Sequence, residues 1–282
     1  MRSGHASPRT RPPAVAGSFY PRSAEALSRG VAELLTAAKA QDGSPACGLI
    51  APHAGYRYSG AVAAQAFASV RRLRGAIERA LIVGPAHFVP FEGIAAPTHA
   101  AFTTPLGELP VDVAAVEALT AERLVALDDA PHAPDHSIEV ELPFLQAIFG
   151  TLPIVPLLCG STPAEAVAAV LARIWREDTL LIVSSDLSHF ESYDRARRHD
   201  QRTAAAIEAL DEAAIGPRDA CGHLPVRGAL REALRRGLKV ERLALCNSGD
   251  TAGDRARVVG YGAWAFRNAE AHAATRGPSP PV

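Results

Sequence analysis

The sequence predicts an α/β protein, built as a single domain with a mostly parallel sheet and helices on both of its faces. Short apolar runs bounded by Gly and Pro recur along the chain, and such runs are typical of strands that are buried on both faces. Segments with helical spacing of apolar residues alternate with these runs, and this alternation indicates parallel strands joined by helices. The clearest strand-like runs are 48–51, 81–84, 154–159 and 181–184.

Taken in chain order, the elements follow from local patterns. After a short extended piece at 14–21, Leu27, Val31 and Leu34 recur at helical spacing. Asp112 is a suitable N-cap for a helix that runs through Leu119. The other predicted helices are near 59–70, 138–148, 163–175, 195–210 and 225–236. After the first strand, the predicted strands, which include the apolar runs given above, are 79–84, 153–159, 179–184, 240–246 and 257–266.

The two ends of the chain differ in composition from the rest. Residues 1–11 and 268–282 are rich in Pro, Ser, Arg and Ala without periodicity, so we expect disordered tails. No linker and no internal repeat interrupts the segment between them. We therefore predict one domain over 12–267.

Composition excludes several classes of protein. The 282 residues carry a net charge of −1 without a basic cluster, which argues against a nucleic-acid or anionic-membrane partner. No apolar run approaches the ~20 residues of a membrane span. The four cysteines have no CxxC spacing, and we expect them to be reduced in a cytoplasmic protein: Cys47, Cys159, Cys221 and Cys246.

Two of the predicted strands end in a proline that is followed, directly or after one residue, by a histidine. His53 follows the first strand in Pro52-His53-Ala54-Gly55, and His87 follows the second in Gly84-Pro85-Ala86-His87. Ligands of open α/β sheets bind beyond the carboxyl ends of the strands, and imidazole is the commonest metal ligand in proteins. A loop histidine that caps a backbone carbonyl is the alternative for either residue alone. As a pair on neighbouring strands, they indicate a shared metal ion.

Acidic and further histidine residues follow other strands and turns. Asp186 and His189 follow the strand at 179–184, and a helical turn would place them on one face, where the carboxylate orients the imidazole for proton transfer. An N-cap role is the alternative for Asp186. His136 stands beside a helix start at which Asp135 and Glu139 are explained by capping and by the helix dipole.

Cys221 lies in a loop flanked by Gly and Pro, in Cys221-Gly222-His223-Leu224-Pro225. A Cys–His–His set leaves an open position on a metal, as catalytic sites require. An adventitious loop cysteine is the alternative, and the residues alone do not decide between the two. Neither a Gly-rich phosphate loop nor a GxSxG nucleophile elbow occurs in the sequence.

These motifs, in this order, resemble the Memo family, whose bacterial members are called AmmeMemoRadiSam system protein B. The resemblance covers residues 12–266 and includes the opening Ala16-Gly17-Ser18-Phe19-Tyr20. It implies a fold like that of the LigB-type class III extradiol dioxygenases, which hold non-haem Fe(II) with two histidines and a glutamate. Carried over by motif, the metal ligands are His53, His87 and Cys221, and the pocket or acid–base residues are Asp186, His189 and His136.

The resemblance leaves three functions open. The first is a mononuclear redox enzyme that contains Fe(II), or else copper, and acts with a radical SAM protein and an AMMECR-like protein; zinc in the same site would instead activate a bound water for hydrolysis. The second is a non-catalytic module that binds a peptide or protein in a dioxygenase-like cleft. The third is extradiol ring cleavage, with Glu139, Glu141 or Asp186 as the carboxylate ligand.

Overall fold

The computed structural model describes residues 9–39, 46–251 and 254–268. The predicted strands occur in the expected order, and several short strands are present in addition. In chain order they are β1 (Thr10–Arg11), β2 (Gly48–Ala51), β3 (Arg79–Pro85), β4 (Ile94–Ala96), β5 (Ala101–Thr104), β6 (Gly107–Pro110), β7 (Ala126–Leu127), β8 (Ile154–Cys159), β9 (Thr179–Ser184), β10 (His189–Glu191), β11 (Leu238–Asn247) and β12 (Val258–Asn268).

The helices begin and end close to the predicted positions. They are α1 (Ala24–Ala37), α2 (Tyr56–Ala68), α3 (Val113–Ala121), α4 (Leu142–Phe149), α5 (Ala164–Ile174), α6 (Tyr193–Glu208), α7 (His223–Arg235) and α8 (Ser248–Thr251), with 3-10 turns at Arg71–Leu73, Glu139–Glu141 and Glu212–Ala214. Asp112 caps α3 as expected, because its carboxylate accepts the N–H of Ala115 at 3.0 Å. Within the described ranges, no helix combines the length and apolar character that crossing a bilayer requires.

Nine strands form the main sheet, in the order β10-β12-β2-β9-β3-β8-β4-β7, with β11 paired to β12. The four central strands, β2, β9, β3 and β8, are mutually parallel. Antiparallel pairings of β12 with β2 and of β4 with β8 flank them. The helices pack around this sheet in groups, with α1 against α2 and α4, and α5 against α7. The predicted α/β class with a mostly parallel sheet is confirmed.

The predicted N-terminal boundary at residue 11 is wrong by a few residues. Thr10 and Arg11 form β1, which pairs with β5 in a separate three-stranded sheet. The Arg11 side chain is almost fully buried and donates to Glu139 at 2.6 Å, so it fixes this segment to the body of the domain. At the other end, β12 extends to Asn268. Of the tails predicted at 1–11 and 268–282, residues 1–8 and 269–282 lie outside the described residues.

Candidate metal centre

The candidate site lies beyond the carboxyl ends of three adjacent strands. His53 follows β2, His87 follows β3, and β9 lies between those two strands and ends at Ser184. The sequence predicts that the two histidine-bearing strands are neighbours, and this detail is wrong. The rings nevertheless approach to 5.0 Å between centroids, because both loops extend over the end of β9.

Three imidazoles converge at this edge of the sheet. One nitrogen from each of His53, His87 and His136 lies within 4.8 Å of the others. The rings of His87 and His136 are nearly parallel, with centroids 4.6 Å apart, whereas the ring of His53 stands edge-on to both. This is a group of donors that can hold one metal ion. The sequence places His136 in the pocket but not among the ligands, because it stands next to a predicted helix cap.

His53 is held from two directions. Its Nδ1 lies 2.7 Å from the hydroxyl of Ser184, and its backbone N–H donates to the Asp186 carboxylate at 2.9 Å. The Ser184 hydroxyl in turn donates to the carbonyl of Ser137 at 2.6 Å. Since that hydroxyl has one proton, Nδ1 of His53 must carry a hydrogen and donate to it. The remaining nitrogen, Nε2, keeps its lone pair for a metal.

His87 is oriented by Asp135. One oxygen of this buried carboxylate accepts the backbone N–H of His87 at 2.7 Å and lies 3.2 Å from its Nδ1. The other oxygen accepts the N–H and the hydroxyl of Ser137. Burial alone would raise the pKa of Asp135, but the hydrogen bond and charge of His87 outweigh it and hold the pKa well below its usual range. A carboxylate on Nδ1 fixes the tautomer that offers Nε2 to a metal.

The electrostatics of the cluster favour the neutral form of two of its three imidazoles, those of His53 and His136. Burial, followed by the charges of His87 and His136, lowers the pKa of His53 well below its usual value. Burial, followed by His87, lowers the pKa of His136 to about 4. Neutral imidazole is the form that binds metals. His136 Nδ1 is buried without a hydrogen-bond partner among the described residues, which fits a nitrogen that needs an electrophile.

Cys221 stands at the edge of the same cluster. Its sulfur lies 3.3 Å from His53 Nε2 and accepts the backbone N–H of Asp186, also at 3.3 Å. The sulfur is not one of the three mutually close donor atoms. Burial, followed by the charge of Asp186, raises the pKa of this thiol to about 12. Cys221 is therefore a protonated thiol unless a cation stabilises its thiolate.

Asp186 and His189 do not form the predicted pair. The residues after β9 are extended rather than helical, and His189 begins β10. Nδ1 of His189 bonds to the carbonyl of Leu187 at 2.8 Å, whereas the Asp186 carboxylate binds the backbone of His53. His189 is exposed at the rim and is close enough for its charge to lower the pKa of His53. Both residues lie at the site, but they are not bonded to each other.

The carboxylates proposed for a dioxygenase-type triad are engaged elsewhere. Glu139 binds Arg11, two backbone N–H groups and the hydroxyl of Tyr20. Glu141 is fully buried and contacts Ser184 rather than the histidine cluster. Within the described residues no carboxylate belongs to the group of close donor atoms.

Sequence reasoning missed the two side chains that orient the ligands. Asp135 has the sequence context of a helix cap, and its bond to Ser137 shows that it also has a capping geometry. Ser184 is the last residue of a buried strand, where a small polar residue gives no signal of a partner. For Asp135, the one indication of a role in the site is its position directly before His136.

We expect Asp135→Asn to weaken metal binding by about 10- to 100-fold, because an amide leaves the orientation and tautomer of His87 less well fixed. Chelator competition with Zn²⁺ measures the dissociation constant. Asp129→Asn is the matched control. Asp129 also pairs with a histidine, His99, at 2.9 Å, but neither residue belongs to the cluster. Equal loss of affinity in both variants would show that Asp135 has no specific part in the site.

Comparisons with known proteins identify the family of this chain. The family described as Memo-like protein matches residues 11–265. A MEMO1 family protein of Methanopyrus kandleri is 35% identical over 91% of this chain and 99% of its own length. One from Thermotoga maritima is 35% identical over 89% and 97%, respectively.

A solved structure supports the fold. The crystal structure of an uncharacterized protein from Escherichia coli K12 aligns with a TM-score of 0.53, covering 77% of this chain and 98% of that one. At 14% identity this likeness concerns the fold alone. The family match and the relatives extend over nearly the whole chain, and the protein belongs to the Memo-like family.

Proposed function

We propose that this protein is a mononuclear metal enzyme of redox type that contains iron, or alternatively copper. The observation that carries the proposal is the convergence of three imidazoles, whose ligand nitrogens lie within 4.8 Å of one another. Imidazole suits zinc, copper and iron, whereas Mg²⁺, Ca²⁺ and Mn²⁺ prefer oxygen ligands. A bound iron or copper ion would supply one-electron oxidation and reduction, which the side chains cannot supply themselves.

We further propose Cys221 as a ligand beside His53, His87 and His136. Its sulfur is 3.3 Å from His53 Nε2, close to the separation of about 3.6 Å that a nitrogen and a sulfur have on one tetrahedral metal. A thiolate favours copper or iron over a purely electrostatic ion and opposes the positive charge of the metal.

The residues around the ligands have separate tasks in this proposal. Asp135 and Ser184 hold Nδ1 of His87 and His53, and Asp186 fixes the backbone at His53. His189 donates from Nδ1 to a carbonyl, so its Nε2 is free to accept a proton at the rim of the site. It is the general base that we propose for substrate deprotonation.

The test is metal analysis of anaerobically purified protein, comparing wild type with Cys221→Ser and His136→Ala. We expect about one iron or copper ion per chain in the wild type, with a sulfur-to-metal absorption band that Cys221→Ser alone abolishes. His136→Ala should keep the band and bind the metal more weakly. Binding of zinc alone, even after anaerobic reconstitution with iron and copper, would contradict a redox enzyme.

A binding module is the second candidate, favoured by exposed aromatic side chains beside the site. Phe88 is 58% exposed with its ring 5.9 Å from that of His136, and Phe190 is 62% exposed next to His189. If the cleft binds a peptide or protein without chemistry, affinity for that partner persists in a His53→Ala, His87→Ala double variant. Loss of the partner together with the metal would exclude this candidate.

We propose that the enzyme acts in the cytoplasm, with a radical SAM protein and an AMMECR-like protein as its partners. The four cysteines are unpaired, which suits a reducing compartment. Co-purification of the two partner proteins with the tagged chain from its native host tests this association. Extradiol ring cleavage is not supported, since none of Glu139, Glu141 and Asp186 belongs to the group of close donor atoms in the part of the chain that the structure describes.

A further inference from the structure

Glu141 is a buried acid for which the proposed reaction has no use. Its side chain is fully buried, and its Oε2 has no hydrogen-bond partner among the described residues. Its Oε1 lies 3.1 Å from the hydroxyl of Ser184. None of the ion pairs recorded for the described residues includes it. An ionised carboxylate in such surroundings is costly unless it is paired.

The hydroxyl of Ser184 fixes where the hydrogens lie. It has three partners: His53 Nδ1 at 2.7 Å, the carbonyl of Ser137 at 2.6 Å and Glu141 at 3.1 Å. A carbonyl can only accept, so the single hydroxyl proton goes to Ser137 over the shortest contact. The two lone pairs of the oxygen are then open to donors, and the Nδ1–H of His53 and a protonated Glu141 carboxyl are the two groups placed to donate to them.

We propose that Glu141 is held as a neutral carboxylic acid that donates to Ser184, and that it thereby acts as a positioning residue for the imidazole of His53. With its donor in place, the Ser184 hydroxyl points to Ser137 and cannot turn toward Nδ1. His53 then keeps Nδ1–H and offers Nε2 to a metal. This role rests on the metal site proposed above.

The surroundings of Glu141 agree with the neutral form. Burial raises the pKa of Glu141 well above its usual value, and the charge of Asp186 acts in the same direction. A bond donated by Ser184 would lower this pKa, but the hydrogen of that hydroxyl is directed to Ser137. Tyr56 also faces Glu141, and burial raises the pKa of that phenol well above its usual value, so that it is neutral as well. Neither neighbour brings a positive charge.

The first test compares wild type with Glu141→Gln, which keeps a donor at the same place and cannot ionise. If folding raises the pKa of Glu141, the neutral acid stabilises the folded protein. This stabilisation is fully present below the pKa of the unfolded protein, about 4.3, and is lost as the pH increases toward the pKa of the folded protein. The unfolding equilibrium constant of wild type, divided by that of the variant, should therefore increase about tenfold per pH unit between pH 5 and 7. Asp186 is present in both proteins and largely cancels. A constant ratio would overturn the neutral acid.

The second test measures position rather than stability. In Glu141→Met the donor is absent, and we expect imidazole ¹⁵N NMR to detect a partial loss of Nδ1–H at His53 together with about tenfold weaker Zn²⁺ binding. Glu141→Gln should match wild type in both readouts. A methionine variant with the wild-type tautomer and affinity would overturn the positioning role. A wild-type protein that binds no metal would instead contradict the proposed function, and the pH comparison would still decide the state of Glu141.

Discussion

Replacement of Glu139 by alanine is expected to lower the free energy of unfolding by about 3–5 kcal/mol, because it leaves a buried arginine without its counter-ion. Both side chains of the Arg11–Glu139 pair are at most 2% exposed. The carboxylate also accepts the N–H groups of Ala14 and Val15 and the hydroxyl of Tyr20. Urea denaturation measures the loss.

The control for this variant is Glu25→Ala. Glu25 pairs with Arg29 on the exposed face of α1, where the side chains are 84% and 61% exposed. Removing such a surface pair should change the free energy of unfolding by no more than about 0.5 kcal/mol. If Glu139→Ala changed stability as little as the control does, the buried pair would not be what anchors the N-terminal segment.

The double variant His53→Ala, His87→Ala should bind the metal well over 100-fold more weakly than wild type. Replacing a single hydrogen-bond partner of a ligand lowers metal affinity by about 10- to 100-fold, and removing two ligands should lower it further. The fold should survive, because both side chains lie beyond the strand ends. Isothermal titration with Zn²⁺ measures the affinity, and circular dichroism measures the fold.

The matched control for the double variant is His99→Ala. His99 is a histidine of similar burial that pairs with Asp129 rather than with the cluster. It should bind Zn²⁺ as wild type does. Equal affinity in the double variant and in wild type would place the metal elsewhere.

The central strands and the two leading histidines could be predicted because their signals are local. An apolar run followed by a proline and a histidine indicates both a buried strand and the functional group at its carboxyl end. Asp112 likewise caps α3 with a contact only three residues away. In such cases the physical cause lies within one turn or one strand of the residue concerned.

Other parts of the fold depend on contacts that no local pattern reveals. Arg11 and Glu139 are 128 residues apart, so no local pattern reveals their contact. The composition of the first residues therefore indicates a tail, although the Arg11 side chain is buried and anchors this segment to the domain. The order of strands is similar, since β9 lies between β2 and β3 but follows β8 in the chain. Only the assembled sheet brings Ser184 under His53.

The Asp186–His189 pair shows how a local inference can go wrong. Their spacing suits a helical turn, but Asp186 is used by the backbone of His53 and His189 continues into β10. The competing interaction is tertiary, since the carboxylate is buried against a loop 133 residues earlier. The sequence therefore placed both residues at the site without giving their contacts.

X-ray absorption at the metal edge of reconstituted protein determines whether one metal ion is held by these histidines and Cys221. We expect imidazole scattering from nitrogens at about 2.0–2.1 Å and one sulfur at about 2.3 Å. The sulfur shell should vanish in Cys221→Ser, whereas the imidazole signal should remain. A first shell of oxygen atoms without imidazole scattering would show that the metal ion is bound elsewhere.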